Sequence, residues 1–200
     1  CVAVLVVLLA HGAGYALLGT PDYDSRPLKV GVLQSNFSQE MKGDPEFAVD
    51  MVQRAADKSR FLAGYHPVDL FVWPESLVME PLGQDTLSIL ESLTRDTGAA
   101  LFSGAIRETS NGDSEYNSSV LIDNQGRVVE YYDKIHLAPF GEYVPFATYL
   151  PFMRAIVPVG DLASGDTPKV LPVKERRLGP LICFEVVFPG MAERLRAQGA

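Results

Sequence analysis

The chain has 200 residues, of which 47% are hydrophobic and 21% are charged. A chain of this size and composition can bury a sizeable core, which excludes a disordered tail or a collagen-like repeat. Its 17 Lys and Arg stand against 25 Asp and Glu, so the formal net charge is −8. This balance offers no basic stripe for nucleic-acid phosphates, and we therefore expect no nucleic-acid partner.

The first 18 residues, CVAVLVVLLAHGAGYALL, carry no Lys, Arg, Asp or Glu. A helix of this length spans roughly 27 Å, just short of the hydrocarbon core of a bilayer. The initiating Met and basic region that begin a signal peptide are missing. We therefore expect residues 1–19 to be part of a transmembrane helix cut from a longer chain, with a buried core helix as the alternative. The polar, proline-bracketed residues 20–27 are expected to form a linker.

Beyond the linker, short apolar stretches alternate with amphipathic ones, which is typical of an α/β domain with a mixed sheet. Helices are expected from Pro45, around Leu87 to Thr97, and from about Pro189. The Asn-Gln-Gly sequence at 124–126 predicts an antiparallel hairpin, and 138–172 is Pro-rich and expected to be irregular. The predicted strands are residues 28–34, 68–73, 99–106, 116–123, 127–132 and 178–184.

Three side chains capable of catalysis follow or end predicted strands, the position from which side chains commonly project into an α/β active site. Glu75 follows LFVWP, Lys134 stands in YYDKIH, and Cys183 stands in LICFE. A thiol needs a base to become a thiolate, and an acyl-transfer intermediate needs a cation or N–H donors for its oxyanion. Each residue alone has an ordinary structural explanation, but the carboxylate, ammonium and thiol together supply these roles.

A histidine is the alternative base for the thiol. His136 lies two residues after Lys134 and competes for this role. Glu75 is expected to fit it better, because the neighbouring Trp73 is expected to shield the carboxylate from water. The two cysteines, Cys1 and Cys183, are too few for a disulfide scaffold, so Cys183 is expected to be a free thiol.

Four segments resemble the sequence blocks of the nitrilase superfamily. They are WPES, YNSSVLID, YYDKIHLAPFGEYVP and ICFEVVFP, at residues 73–76, 116–123, 131–145 and 182–189. The resemblance implies a Glu-Lys-Cys triad on an α-β-β-α sandwich formed by residues 28–200. The stretch KIHLAPFGEYVP, together with the preceding apolar helix, is more specifically similar to the apolipoprotein N-acyltransferases of bacterial inner membranes.

The resemblance implies a role for each of five residues. Cys183 would be the nucleophile that takes an acyl chain as a thioester, Glu75 the general base, and Lys134 the charge that stabilises the oxyanion. Glu142 matches a second active-site glutamate that orients Lys134. Glu185 matches a functionally important glutamate, and its structural alternative is a tie to backbone N–H groups. The resemblance implies neither a cofactor nor a metal.

The implied reaction transfers a fatty acyl group from a membrane phospholipid to the N-terminal α-amine of an S-diacylglyceryl-cysteine apolipoprotein. The enzyme would lie in the bacterial inner membrane, with the catalytic domain on the periplasmic side. One alternative is a soluble carbon–nitrogen hydrolase that uses the same triad on a small amide or nitrile. Another is an inactive relative that binds lipid or lipoprotein.

This chain departs from the family pattern at two positions. Gly43 stands where the family usually has Trp, and Phe184 stands where it often has Tyr. The chain also ends at Ala200, before an Asn-Asp-x-Trp-Phe-like block and a last membrane helix that the resemblance implies. We therefore expect the catalytic domain to be truncated at its C-terminal end.

Overall fold

The computed structural model describes residues 2–18, 27–42, 44–75, 77–78, 81–147, 149, 152 and 160–200. The helices are α1 (Val2–Leu18), α2 (Gln39–Lys42), α3 (Ala48–Tyr65), α4 (Gln84–Thr97) and α5 (Pro189–Ala197), with 3-10 helices at Pro45–Phe47 and Cys183–Val187. The strands are β1 (Val30–Val32), β2 (Leu70–Val72), β3 (Ala100–Glu108), β4 (Glu115–Ile122), β5 (Val128–Asp133), β6 (Leu171–Val173) and β7 (Arg176–Leu178). Gly43 and residues 20–26 of the predicted linker lie outside the described residues.

The first five strands form one mixed sheet in the order β1-β2-β3-β4-β5. β1, β2 and β3 are parallel, and α3 and α4 provide the crossover connections that parallel neighbours require. β4 is antiparallel to both β3 and β5. The predicted hairpin between β4 and β5 is present, and Gly126 takes the left-handed φ of 82° that its turn needs. The mixed α/β sheet is therefore confirmed.

α3 and α4 cover one face of this sheet. Pro45 opens the 3-10 helix that leads into α3, and the Asp44 side chain caps it by accepting from the Glu46 N–H at 3.0 Å. Gly98 ends α4 in the left-handed conformation, with φ at 68°. The apolar faces of both helices pack on the sheet in the larger core cluster, whose members include Val52, Ala56, Phe71, Trp73, Leu90, Leu93, Leu101 and Val120.

The two-stranded antiparallel sheet of β6 and β7 contributes Leu171 and Val173 to a second core cluster with Leu70 and Leu121 of the larger sheet. A third cluster joins β5 to the segment before Cys183 and to α5, through Tyr132, Ile182 and Met191. The layers therefore follow the order helix, sheet, sheet. The end of α5 also lies beside the smaller sheet, where Arg177 of β7 donates to the Gln198 C=O at 2.8 Å.

The predicted strand at 178–184 is wrong. β7 ends at Leu178, and a 3-10 helix begins at Cys183. Pro180 lacks the N–H that a strand ladder needs, and Cys183 leaves the extended region with a φ of 49°. The sequence pattern also missed β6, which begins within the segment expected to be irregular.

The predicted N-terminal helix is observed as α1, and its side chains from Val2 to Ala13 are exposed. No helix in the part of the chain that the structure describes combines the length and hydropathy needed to cross a membrane.

Candidate active site

The sheet topology brings Glu75 and Lys134 to the same edge. β2 is parallel to β3, and β5 runs in the same direction because two antiparallel pairings separate it from β3. The carboxyl ends of β2 and β5 therefore lie at one edge of the sheet. Glu75 comes three residues after β2, and Lys134 follows the last residue of β5. β4 begins at that edge and contributes Asn117.

Lys134 is a buried cation paired with Glu142. Its side chain is only 1% exposed, and its Nζ lies 2.9 Å from both carboxylate oxygens of Glu142. The Ala138 N–H donates to the same carboxylate at 2.7 Å. Burial acts to raise the pKa of Glu142, but hydrogen bonds from Ala138, Asn117 and Lys134 outweigh it and hold that pKa below its ordinary value. The carboxylate therefore stays ionised beside the ammonium.

Asn117 joins Glu75 to this ion pair. Its Nδ2 donates to Glu75 Oε1 at 2.9 Å and to Glu142 Oε1 at 2.6 Å. Its backbone C=O also accepts the Lys134 N–H at 2.8 Å. A neutral amide with two N–H donors can hold two carboxylates that would otherwise repel each other. These four residues, Glu75, Asn117, Glu142 and Lys134, form a network that we call the lysine network.

Asn117 is a member of this network that the sequence pattern did not single out. The sequence did contain a sign of it, because YNSSVLID places an amide side chain near the start of a strand whose later residues, Val120 to Ile122, are apolar. What the pattern could not show was its contact with two glutamates from other segments.

Three members of the lysine network, Glu75, Asn117 and Glu142, line a cavity of about 250 Å³. The remaining walls are apolar or small, formed by Val78, Ala105, Ile106, Gly141 and Leu162. Trp73 does not line it, since its ring is buried in the helix-side core and its Nε1 donates to Ser59 Oγ at 3.0 Å. A cavity with two carboxylates, one amide and apolar walls is suited to a ligand with both polar and apolar parts.

Cys183 lies on an exposed turn and is a free thiol. Ile182 before it is extended, with φ at −100°, whereas Cys183 has a φ of 49° and opens the 3-10 helix. A non-glycine residue in the left-handed region is uncommon, and such residues cluster at functional sites. The described contacts include no hydrogen bond from its thiol to Glu75 or Lys134, and Cys183 does not line the cavity.

Glu185 lies two residues after Cys183 and is completely buried. Its carboxylate accepts the Tyr132 hydroxyl at 2.8 and 2.9 Å and the N–H groups of Ile135, Ile182 and His136 at 2.8, 2.9 and 3.2 Å. Burial, followed by the hydrogen bond to Glu185, raises the pKa of Tyr132, so the phenol remains a donor. Glu185 therefore makes the hydrogen bonds to backbone N–H groups that were its structural alternative to a functional role.

The described hydrogen bonds include none between His136 and the Cys183 thiol. The His136 backbone N–H donates to Glu185, and its ring packs edge-on against Phe188 with centroids 4.2 Å apart. Phe184 also packs edge-on against Phe188, at 5.3 Å. Over the described part of the chain, no group of three His, Cys, Asp or Glu side chains is placed to hold a metal ion.

Comparisons with known proteins agree with this architecture. The family model described as carbon-nitrogen hydrolase matches residues 29–200. An amidase from Nesterenkonia sp. superposes with a TM-score of 0.60 at 21% identity, covering 91% of this chain and 65% of that chain. A carbon-nitrogen hydrolase from Helicobacter pylori G27 gives a TM-score of 0.60 at 16% identity, covering 86% of this chain and 57% of that one. At these identities the likeness supports the fold.

Curated relatives are more similar in sequence. A protein of Geobacter metallireducens named apolipoprotein N-acyltransferase is 36% identical over 96% of this chain and 38% of its own length. One of the same name from Pseudomonas syringae pv. tomato is 35% identical over 98% of this chain and 39% of its own length. The chain thus spans less than two fifths of these relatives, and the resemblance noted from its motifs is confirmed. With the family model matched from residue 29 to the last residue, the chain belongs to the carbon-nitrogen hydrolase family.

Proposed function

We propose that the protein transfers a fatty acyl group from a membrane phospholipid to the N-terminal α-amine of an S-diacylglyceryl-cysteine apolipoprotein, through a thioester on Cys183. The observation that carries the proposal is the lysine network, in which Glu75 and the buried Lys134 meet at one sheet edge. The chain is also similar, over nearly all of its length, to proteins named apolipoprotein N-acyltransferase.

In the first half-reaction, the Cys183 sulfur attacks the ester carbonyl of the phospholipid. Glu75 accepts the thiol proton, and the Lys134 ammonium stabilises the oxyanion of the tetrahedral intermediate. The ester C–O bond then breaks, and the leaving alkoxide of the lysophospholipid takes the proton from Glu75. The acyl chain remains on Cys183 as a thioester.

In the second half-reaction, the α-amine of the apolipoprotein attacks the thioester carbonyl. Glu75 accepts a proton from the amine, and Lys134 again stabilises the oxyanion. The C–S bond breaks, the amide product leaves, and the Cys183 thiolate regains the proton. Glu142 supports both steps because its carboxylate fixes the position of the ammonium.

The membrane location is part of the proposal. α1 has no charged side chain, and its side chains from Val2 to Ala13 are exposed. Its 17 residues extend about 26 Å at the helical rise. We propose that residues 1–19 belong to a membrane helix, that 20–27 link it to the catalytic domain, and that this domain, 28–200, faces the periplasm from the inner membrane. A phospholipid donor would then lie next to the active site.

A carbon–nitrogen hydrolase acting on a small amide is the second candidate. The observation that favours it is the structural likeness to the Nesterenkonia amidase. In that reaction the same thioester would form with release of ammonia, and water would replace the amine in the second half-reaction.

The two functions separate in one experiment on the full-length protein in phospholipid vesicles. A phospholipid with an alkyne-tagged acyl chain should leave a hydroxylamine-sensitive label on the Cys183 peptide, read by mass spectrometry. Cys183→Ala should abolish the label, and Cys1→Ala, the matched control, should retain it. Labelling that survives Cys183→Ala would contradict the proposal. Absence of label with release of ammonia from a small amide would support the hydrolase instead.

A further inference from the structure

Glu185 is a buried carboxylate whose described partners are all neutral. An isolated charge in a protein interior is costly, and it persists only when several hydrogen bonds replace its water. Glu185 has such a set, one phenol and three backbone N–H groups. Burying such a carboxylate costs free energy, so its presence suggests that its position has a purpose in this protein.

The three backbone donors lie on the two segments that carry the proposed chemistry. Ile135 and His136 directly follow Lys134, and Ile182 directly precedes Cys183. One carboxylate therefore ties the turn of the nucleophile to the segment of the lysine. Along the chain, Ile135 and His136 are 50 and 49 residues from Glu185, and Ile182 is 3 residues from it.

Tyr132 is the side-chain donor of this arrangement. Its phenol is fully buried, lies two residues before Lys134, and donates to both carboxylate oxygens. The three backbone donors belong to the connecting segments themselves, whereas the Tyr132 ring is carried by β5 of the central sheet. The phenol therefore fixes the carboxylate, and with it the Cys183 turn, relative to the sheet that positions Lys134.

We propose that Tyr132 and Glu185 form a positioning clamp, in which the phenol holds the buried carboxylate and the carboxylate holds the left-handed Cys183 turn in register with Lys134. Neither residue touches the reacting atoms. The clamp acts by keeping the thiol where Glu75 and Lys134 can reach the same acyl group. This inference rests on the proposed function for the identity of the acyl donor, but not for the geometry.

The test compares two adjacent tyrosines in the full-length protein. Tyr132→Phe removes only the clamping hydroxyl, and Tyr131→Phe removes a hydroxyl from the neighbouring residue, whose ring lies against the helix-side core and Arg107. Tyr132→Phe should slow thioester formation at saturating phospholipid by about ten- to a hundredfold, the factor expected for one hydrogen bond to a buried charge. The half-saturating phospholipid concentration should not change, and Tyr131→Phe should match the wild type.

Rates are normalised to folded protein, so that a purely structural loss is counted separately. A rate within twofold of the wild type in Tyr132→Phe would overturn the clamp. So would an equal loss in Tyr131→Phe, or a loss that disappears on normalisation.

A double variant tests whether the hydroxyl acts through Glu185. Glu185→Gln should be slow by itself, and adding Tyr132→Phe should slow it by less than twofold more. Fully additive effects would overturn the proposal, since the phenol would then act by another route. If Glu185→Gln does not fold, the comparison of the two Phe variants decides alone.

A second readout separates failure of the clamp from failure of the proposed function. Alkylation of Cys183 by iodoacetamide needs no acyl donor and can be followed on the same peptide. If the wild type forms no thioester from phospholipid, but Tyr132→Phe still slows alkylation and Tyr131→Phe does not, the proposed function fails and the clamp stands. Equal alkylation in all three proteins would overturn the clamp.

Discussion

The carboxylates of Glu142 and Glu185, which support the proposed triad, are stabilised in different ways. Glu142 faces a buried ammonium, accepts two further hydrogen bonds and lines a cavity. Glu185 is wholly buried, and its hydrogen-bond donors in the described part of the chain are all neutral. A desolvated carboxylate can be stabilised by an opposite charge or by a full set of hydrogen bonds. In the proposed reaction, the first kind holds the Lys134 ammonium where it can stabilise an oxyanion, and the second fixes the backbone around the Cys183 turn.

Loss of the cation should have the largest effect on stability. Lys134→Met would leave the Glu142 carboxylate, which is 12% exposed, without its counter-charge, and we expect it to lower the free energy of unfolding by roughly 3–5 kcal/mol. Denaturant unfolding at neutral pH measures this. Adding Glu142→Gln should restore much of the loss, and a double variant no more stable than the single one would contradict the pairing. Lys169→Met, which breaks an exposed pair with Glu130, is the matched control and should cost at most ~1 kcal/mol.

Asn117→Asp should change the lysine network while leaving the clamp intact. Repulsion among three neighbouring carboxylates would keep one of them protonated to a higher pH. Glu75, the proposed general base, can act only after that proton is lost. The pH at which thioester formation is half-maximal should therefore rise by roughly one unit. Asn124→Asp, in the exposed turn of the hairpin, should leave the profile unchanged. A profile that does not move would show that Asn117 does not separate the two carboxylates.

The pH dependence of stability should report on Glu142. Its hydrogen bonds lower its pKa in the folded protein from an ordinary value of 4.5, so ionisation contributes stability that is present above pH 4.5 and is lost as the pH falls through the lowered value. The wild type should therefore be more stable than Glu142→Gln at neutral pH, and the difference should shrink in acid. Thermal melts across this range provide the test. A difference that grows in acid would reverse the sign of this assignment.

The smallest effect is expected at Ser119. Ser119 pairs in register with Tyr132, and within the described residues its buried hydroxyl has no hydrogen-bond partner. Ser119→Ala should therefore change the free energy of unfolding by less than about 0.5 kcal/mol or stabilise the protein. Its neighbour Ser118 donates to Asp133 at 2.6 Å, and Ser118→Ala should cost about 1–3 kcal/mol. Denaturant unfolding measures both variants. Equal losses at the two serines would show that burial rather than hydrogen bonding determines how much each serine contributes to the free energy of unfolding.

Most of the sheet could be predicted from local patterns. The apolar runs around β1, β2 and β3 and the hairpin of β4 and β5 are each encoded within a few adjacent residues. The stretch after Leu178 was misassigned, because an apolar run does not show that Pro180 interrupts the ladder or that Cys183 turns into the left-handed region.

The sequence by itself identified Glu75, Lys134, Cys183, Glu142 and Glu185 as candidates, since residue type and motif are properties of short segments. Only the tertiary structure identified Asn117 as a member of the lysine network and Tyr132 as the partner of Glu185. The Asn117 contact with Glu75 joins residues 42 apart in the chain, and the Tyr132 contact with Glu185 joins residues 53 apart. No local pattern carries such pairings, because strand order and direction decide which side chains meet at the sheet edge.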